Sequence, residues 1–507
     1  MTRVTFPYDG IFGGPDGIPT DRRLRPLSIA VVSIIALLVL AVIFLIATVT
    51  PIHMGALAIS AAFILGILLL PGGFSPEALD EKSGVIGDGF PGGLFITLAG
   101  VTFLFGIAKN NGTVDWLVHA SVRSVGGRVA LIPWVFFGVT AVLTGIGAVV
   151  PAAVAIIAPI GMTFARKYDI KQLLMGLMVI NGATAGGFSP LSIFGSITND
   201  VVEGAGLEGS PLFLFLASLV FNVALGFITF VLFGGRQLVG VRDVGEGELV
   251  AADGSKVGGF REGPAEQTGQ KAASMSSASP HAEPGAGPVT TLDIHRRLTL
   301  TGMVILTLGA FFLQLDVGFF SFLIGALLCL LNPKITKGSV GEIAWPTVLL
   351  VCGIVTYVSL LQNPALDPSG ERDVITWLGD WAAGLGAVTI AALLILYVGG
   401  VVSAFASTTG ILGALIPLAV PFLDGPDAVL GVVALVTALA ISSSVVDSSP
   451  YSTSGALVTA NASEDGREVV YKSLLKWGFS MVAIAPLVTW LLLVILGNQL
   501  LDLPFLQ

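Results

Sequence analysis

The sequence predicts an all-helical polytopic membrane protein built from two inverted repeats, each with about five spans, a re-entrant hairpin and a broken helix. Three observations predict it. Apolar runs of roughly 18 or more residues, each long enough to cross about 30 Å of hydrocarbon as a helix, recur along nearly the whole chain. One hydrophilic stretch divides the chain into halves of similar length, and a Ser-Pro-x-Ser-x-x-Gly motif lies inside an apolar run of each half. Charged residues are 11% of the 507 and apolar residues 54%, against roughly 25% charged in a soluble domain. That composition excludes a soluble fold.

Residues 1–26 form an N-terminal arm, and the first apolar run follows from Pro26 to Val49. Arg22, Arg23 and Arg25 precede it, so a cleaved or twin-arginine signal has to be weighed. The run is too long for a signal core, has no small-x-small cleavage site and is followed at once by a second span. It is therefore expected to remain as a span. The first membrane repeat covers 27–235, with spans near 27–49, 53–71 and 92–109; the second covers 298–500, with spans near 298–314, 317–332 and 345–361. Between them, 236–297 is rich in Gly, Ser, Ala, Pro and charge, and cannot bury enough apolar surface to offset its ordering entropy. It reads as a flexible linker, and 501–507 as a short tail.

After its third span each half has a long apolar stretch interrupted by small or polar residues, then a Gly/Ser-rich span, then a final span. The interrupted stretches, LIPWVFFGVTAVLTGIGAVVPAAVAIIAPIGM and VTIAALLILYVGGVVSAFASTTGILGALIPLAVPFL, read as re-entrant hairpins, because irregular backbone at membrane depth is allowed only where protein or a wet cavity covers it. Ordinary paired helices are the alternative. With hairpins each half crosses five times, and an odd number inverts the second half relative to the first.

Duplication is visible in paired residues that keep their order: Gly55 and Pro71 with Gly318 and Pro333, Thr102-Phe103 with Thr356-Tyr357, Trp116-Leu117 with Trp377-Leu378, Pro159 with Pro417, and Ser189-Pro190-Leu-Ser192-Ile-Phe-Gly195 with Ser449-Pro450-Tyr-Ser452-Thr-Ser-Gly455. Loops on the linker side carry Lys109, Arg123, Arg128, Arg166, Lys167, Lys171, Arg236 and Arg242, and the opposite loops carry mainly acids such as Glu77, Asp80, Asp200, Glu203 and Asp427. This bias makes the linker cytoplasmic, and the expected location is a bacterial plasma membrane. The basic N-terminal arm runs against it. A net charge of −9 without a basic stripe gives no sign of a nucleic-acid partner, and Cys329 and Cys352, both in apolar runs, suggest packing. Sequons at Asn111 and Asn461 read as chance, and His53 and His119 as interfacial residues.

The polar residues inside spans carry the chemistry. The first broken helix offers Asn181, Thr184, Ser189, Pro190 and Ser192, and the second Ser448, Ser449, Pro450, Ser452 and Thr453, beside Ser442, Ser443 and Ser444. Proline removes a donor and ends the preceding turn, while glycines let backbone approach a ligand. The half-helix beyond then points free N–H groups and its positive dipole end at the membrane centre, where an anion can sit. The hairpin tips, Thr144, Gly145 and Gly147 in the first half and Ser403, Ser407, Thr408 and Thr409 in the second, add hydroxyls and exposed carbonyls able to hold a desolvated cation or a carboxylate. Each tip is expected to face the broken helix of its own half. Close packing of small residues is the competing account, strongest for Gly195 and Gly455. Asp447 is the acid set inside a predicted span, and intramembrane acids are costly enough to mark function. It is a candidate for Na⁺ or H⁺ coupling together with Asn181 and Ser403; capping of the half-helix is the alternative.

The segments GATAGGFSPLSIFG, FPGGLFITLAGVTFLFGIAKNNGTVDWLVH and SSSVVDSSPYSTSGALVTANA resemble the malonate/dicarboxylate carrier (MatC-type) permeases, within the divalent anion:sodium symporters and the wider ion transporter superfamily. The resemblance implies a scaffold and a transport domain per protomer, a homodimer, and elevator-like movement. It also implies that substrate and Na⁺ lie between hairpin tips and broken helices, at Thr144, Gly145, Gly147, Ser189, Pro190 and Ser192 with Ser407, Thr408, Thr409, Ser448, Ser449, Pro450 and Ser452. The first tip lacks Asn and the second reads Ser407-Thr408-Thr409, departing from the Ser-Asn-Thr signature of sodium-coupled members, so the coupling ion stays open between Na⁺ and H⁺.

The expectation is a secondary active transporter of a small dicarboxylate, malonate or a C4 acid, with no cofactor. An exporter, exchanger or channel for another small anion is the alternative. A membrane-embedded enzyme would need convergent catalytic groups, and no His/Cys/Asp cluster appears in the sequence.

Overall fold

The computed structural model describes residues 28–496 except 72–73, 124–127, 244–247, 251–255, 260–291, 314, 334–337, 367–372, 375–376, 378–387, 406–407 and 420–430. The N-terminal arm, most of the linker, Ser407 and the C-terminal tail lie outside the described residues.

The first half begins with α1 (Ile29–Val49) and α2 (Met54–Leu69), continues through the short amphipathic α3 (Pro76–Asp88) to α4 (Gly92–Asn110) and α5 (Thr113–Arg123), and reaches a helical pair, α6 (Ile132–Gly145) and α7 (Val150–Lys167). Then come α8 (Gln172–Gly186) and α9 (Ile193–Gly204), separated by the first Ser-Pro break, and α10 (Pro211–Leu232). Part of the predicted linker forms a small antiparallel ribbon, β1 (Arg242–Asp243), β2 (Glu248–Val250) and β3 (Lys256–Gly259). The second half is α11 (Ile294–Leu313), α12 (Val317–Leu331), α13 (Trp345–Leu361), the pair α14 (Val388–Phe405) and α15 (Thr408–Ala419), the broken pair α16 (Val432–Val445) and α17 (Thr453–Asn461), and α18 (Glu464–Thr489), which ends in a π-helical turn at 490–495. Among the described residues six helical segments are long and apolar enough to cross a membrane. The chain is thus a helical polytopic membrane protein. At 1.5 Å per residue α6 extends only about 21 Å, short of the hydrocarbon thickness of about 30 Å.

Helix faces sort by solvent. Ile34, Leu38, Val42 and Leu45 of α1, Phe319, Leu323, Leu327 and Leu330 of α12, and Ile390, Leu394, Val398 and Val401 of α14 are exposed in stripes three or four residues apart, as expected of apolar helices turned toward lipid. In contrast α8 is buried from Leu174 to Gly186 and α16 from Ala434 to Val445. These are the helices that carry in-span polar residues, and enclosure by protein is what makes those residues tolerable.

Small residues set the closest helix pairs. A Cβ on Gly55 of α2 would run into the Leu349 carbonyl of α13, and one on Gly353 of α13 into the Gly55 carbonyl; Gly100 of α4 and Gly318 of α12 meet in the same way. Such backbone approach is the usual role of small residues between membrane helices. It is reciprocal: the second helix of each half packs on the third span of the other. Reciprocity extends to the helical pairs, since α7 packs on α17 and α15 on α9. Polar bonds join the halves as well. Lys109 Nζ donates to Glu342 at 2.6 Å, Gln172 Nε2 donates to Ser463 Oγ at 2.7 Å, and the buried Tyr357 hydroxyl donates to the Ala36 carbonyl at 2.7 Å. The Asn111 side chain is held inside this framework, donating to Thr299 Oγ1 at 2.7 Å and accepting from Thr113.

Candidate functional site

At the first break α8 stops at Gly186 and α9 starts at Ile193. Pro190 has no N–H to continue the helix. The Ser192 hydroxyl replaces the lost ladder, sharing its proton between the Gly187 carbonyl and the Ser189 carbonyl, the latter at 2.7 Å, and accepting from the Gly195 N–H at 3.2 Å. Gly195 is required sterically, because a Cβ there would run into the Ser189 carbonyl. The second break repeats the carbonyl contacts and the glycine of this construction, while Ser452 makes no side-chain cap bond to the half-helix that follows. Ser452 Oγ donates to the carbonyls of Asp447 at 2.5 Å and Ser449 at 2.6 Å, and a Cβ on Gly455 would run into the Ser449 carbonyl. Thus the Gly of Ser-Pro-x-Ser-x-x-Gly is a packing residue, and the second Ser staples the turn.

Outside the shared Ser, Pro, Ser and Gly the breaks differ in sequence, and two of the differences carry polar chemistry: Asp447 stands opposite Gly187 and Ser454 opposite Phe194. Asp447 is 4% exposed, and its Oδ2 accepts a hydrogen bond of 2.5 Å from Ser454 Oγ, in the first turn of α17. Gly187 stands at the matching place in the first half, where a Cβ would lie 2.9 Å from the Val150 side chain, so that half has no room for an acid. The sequence reading missed Ser454; its signal was the placement of a hydroxyl two helical turns beyond the acid, across the proline.

The first helical pair turns at Gly145–Val149, and Gly147 adopts φ +118°, a conformation that favours glycine. Its Cβ would also strike Val101 of α4 and lie 3.3 Å from the Leu191 carbonyl of the break. The Ser189 hydroxyl donates to the Gly145 carbonyl at 2.8 Å, which joins tip and break within one half. In the second half α14 packs on 446–448, and Ser403 and Thr408, both buried, lie 3.0 Å apart hydroxyl to hydroxyl across the turn. Helix α8 of the first half also touches 446–448 and α17. The two breaks and two tips therefore form one contiguous region.

The candidate polar groups are mostly turned inward. Thr144 Oγ1 donates to the Thr140 carbonyl at 3.0 Å, Thr184 Oγ1 to Ile180 at 3.0 Å, and Ser448 Oγ to Val445 at 2.9 Å. Ser449 Oγ accepts from the Tyr451 N–H at 3.3 Å. Thr409 and Pro450 are buried, Pro190 is half-buried and Thr453 is exposed. Asn181, 2% exposed, has an amide nitrogen without a partner among the described residues, as has the Ser443 hydroxyl on α16. A donor buried without a partner costs about 1–3 kcal/mol, so these two atoms mark where polar satisfaction is incomplete. No group of three or more His, Cys, Asp or Glu able to hold a metal is formed among the described residues.

Residues 30–187 match the family model described as the N-terminus of the dicarboxylate carrier protein MatC. The matched stretch includes the first tip and stops at Gly187, immediately before the Ser-Pro break. No curated protein matches the chain. The family match supports a dicarboxylate carrier, and with the membrane-helical fold it favours transport over catalysis.

Proposed function

We propose that the protein is a secondary active carrier of a small dicarboxylate, malonate or a C4 acid, coupled to Na⁺ or H⁺ and working in a bacterial plasma membrane. The observation that carries this reading is the pair of breaks built to one plan, each presenting the N-terminus of a half-helix within a protein-enclosed region. Free backbone N–H groups and a positive dipole end suit a carboxylate at each of two positions. Hydroxyls and carbonyls around them suit a coupling cation. Reciprocal packing of α7 on α17 and α15 on α9 supports two repeats related by a two-fold operation, inverted in the membrane. Because Thr144, Ser189, Ser192, Ser448, Ser449 and Ser452 are all at most 4% exposed, substrate reaches these hydroxyls only through movement. An elevator-like displacement of tips and breaks, in a homodimer, meets that need.

Asp447 with Ser454 is the leading coupling site, and Asn181 and Ser403 are further members. The substrate region combines Thr144, Gly145, Gly147, Thr184, Ser189, Pro190 and Ser192 with Ser407, Thr408, Thr409, Ser448, Ser449, Pro450, Ser452 and Thr453. Proteoliposomes containing the purified protein test the reading: malonate, succinate or malate should accumulate under an imposed Na⁺ or H⁺ gradient. Absence of uptake of every dicarboxylate under both gradients overturns it.

A further inference from the structure

A cleft of about 390 Å³ opens at the linker-side end of the molecule, between the start of α6 and the segment that follows α10, lined by Arg128, Leu131, Trp134, Phe230, Val239 and Arg242 among others. We propose that it binds the phosphate headgroup of an anionic phospholipid, with an acyl chain lying along its apolar wall.

The charge arrangement asks for an anion. Arg128 and Arg242 are paired across an isolated antiparallel bridge, supported by the Val129 N–H donating to the Val241 carbonyl at 3.3 Å. Partners so placed have Cα atoms about 4.5–5.5 Å apart, and like charges directly opposite one another are destabilising. Both arginines are exposed, and neither is paired with an acid among the described residues. A phosphate between the two guanidiniums converts that repulsion into charge-assisted hydrogen bonds, for which the planar fork of arginine is suited.

The remaining wall selects a lipid over a free anion. Leu131 and Val239 are 41% and 67% exposed, and the cleft adjoins the outward face of α10, where Phe227 and Leu232 are 58% and 63% exposed. Trp134 packs tilted against Phe227, ring centroids 4.6 Å apart, and against Phe230 at 6.0 Å, the kind of aromatic cluster that anchors in membrane interfaces. The same end carries Arg166 and Lys167 in the last turn of α7, and Lys171 beside Gly234. Basic pockets between helices on such a face hold anionic headgroups. The occupied cleft braces the root of the α6–α7 pair against the end of α10.

Native mass spectrometry of the delipidated full chain, titrated with phosphatidylglycerol, phosphatidylcholine, glycerol phosphate or inorganic phosphate, tests this. The wild type should retain phosphatidylglycerol over phosphatidylcholine; R128Q/R242Q should lose it by roughly thirtyfold, as expected for two basic side chains at an anionic surface; R128K/R242K should keep most of it. Should the double variant not fold, R242Q alone, at the edge of a surface ribbon, is expected to show a loss of roughly fivefold. Undiminished phosphatidylglycerol retention in R128Q/R242Q or R242Q overturns the proposal. So does binding of inorganic phosphate or glycerol phosphate as tight as that of the lipid, which would make the cleft a site for free anions.

Discussion

The acid of the second break is the one charged side chain in either of the two Ser-Pro breaks. Asp447 is enclosed, its carboxylate is held by Ser454 across the proline, and the first half has Gly187 in its place with no space for a side chain. An acid at membrane depth is retained only when it does something that a neutral residue cannot. Asp447→Asn keeps the shape and one hydrogen-bonding oxygen but removes the titratable group. It should abolish pH-driven uptake in proteoliposomes while leaving substrate exchange largely intact; a variant whose uptake keeps the wild-type pH dependence would make Asp447 a capping residue. Asn181 and Ser443 would not have been singled out by this contrast, since what marks them is a missing partner and not a charge.

At the scale of the element, each break is a self-contained turn in which a serine hydroxyl and a glycine do complementary work. The Ser192 and Ser452 hydroxyls add a second donor to the Ser189 and Ser449 carbonyls, which also accept the Ser192 and Ser452 N–H groups, and Gly195 and Gly455 allow the following half-helix to close onto those same carbonyls. Forcing a methyl group into such contact costs about 1–3 kcal/mol. Gly195→Ala and Gly455→Ala should each lower the apparent Tm in detergent by roughly 1–3 °C, by similar amounts because the two glycine contacts are alike. A marked difference between them would mean that one break relaxes where the other cannot. The same reasoning assigns the motif's residues different roles: the glycine and second serine build the turn, leaving the half-helix N–H groups and the Asp447–Ser454 pair as the chemically open parts.

Across the whole molecule the halves are joined by exchange. The second helix of each half packs on the third span of the other, and the second arm of each helical pair on the half-helix of the other. Each polar helix is packed mainly by its own half, α8 by α6, α7 and α10 and α16 by α14, α15 and α18, and the other half adds a smaller share of the contact. Orientation belongs to this scale too. The proposed orientation, with the basic loops and the linker on the cytoplasmic side, predicts that a cysteine introduced by Ser276→Cys in a chain whose Cys329 and Cys352 have been replaced by alanine resists a membrane-impermeant maleimide in intact cells and reacts after permeabilisation. Labelling in intact cells would reverse the orientation and move the basic cleft at Arg128 and Arg242 to the outer face.

Much of this was legible in the chain because bilayer and backbone impose strong local rules. Apolar runs bounded the spans within a few residues, as in 345–361 and 92–110, since each backbone polar group in hydrocarbon must be satisfied within its own segment. The repeated Ser-Pro-x-Ser-x-x-Gly located both breaks, since proline and glycine act through geometry that needs no distant partner. Other features depend on neighbours far away in sequence. The ribbon within 242–259, the Arg128–Arg242 bridge, the Ser189–Gly145 bond, the Asp447–Ser454 pair and the exchange of helices between halves came only with the tertiary structure. The sequence alone determined which segments form apolar helices and where the Ser-Pro breaks fall, because those follow from composition and local backbone chemistry; which polar groups meet was decided by packing, where the position of one helix fixes the partner of another.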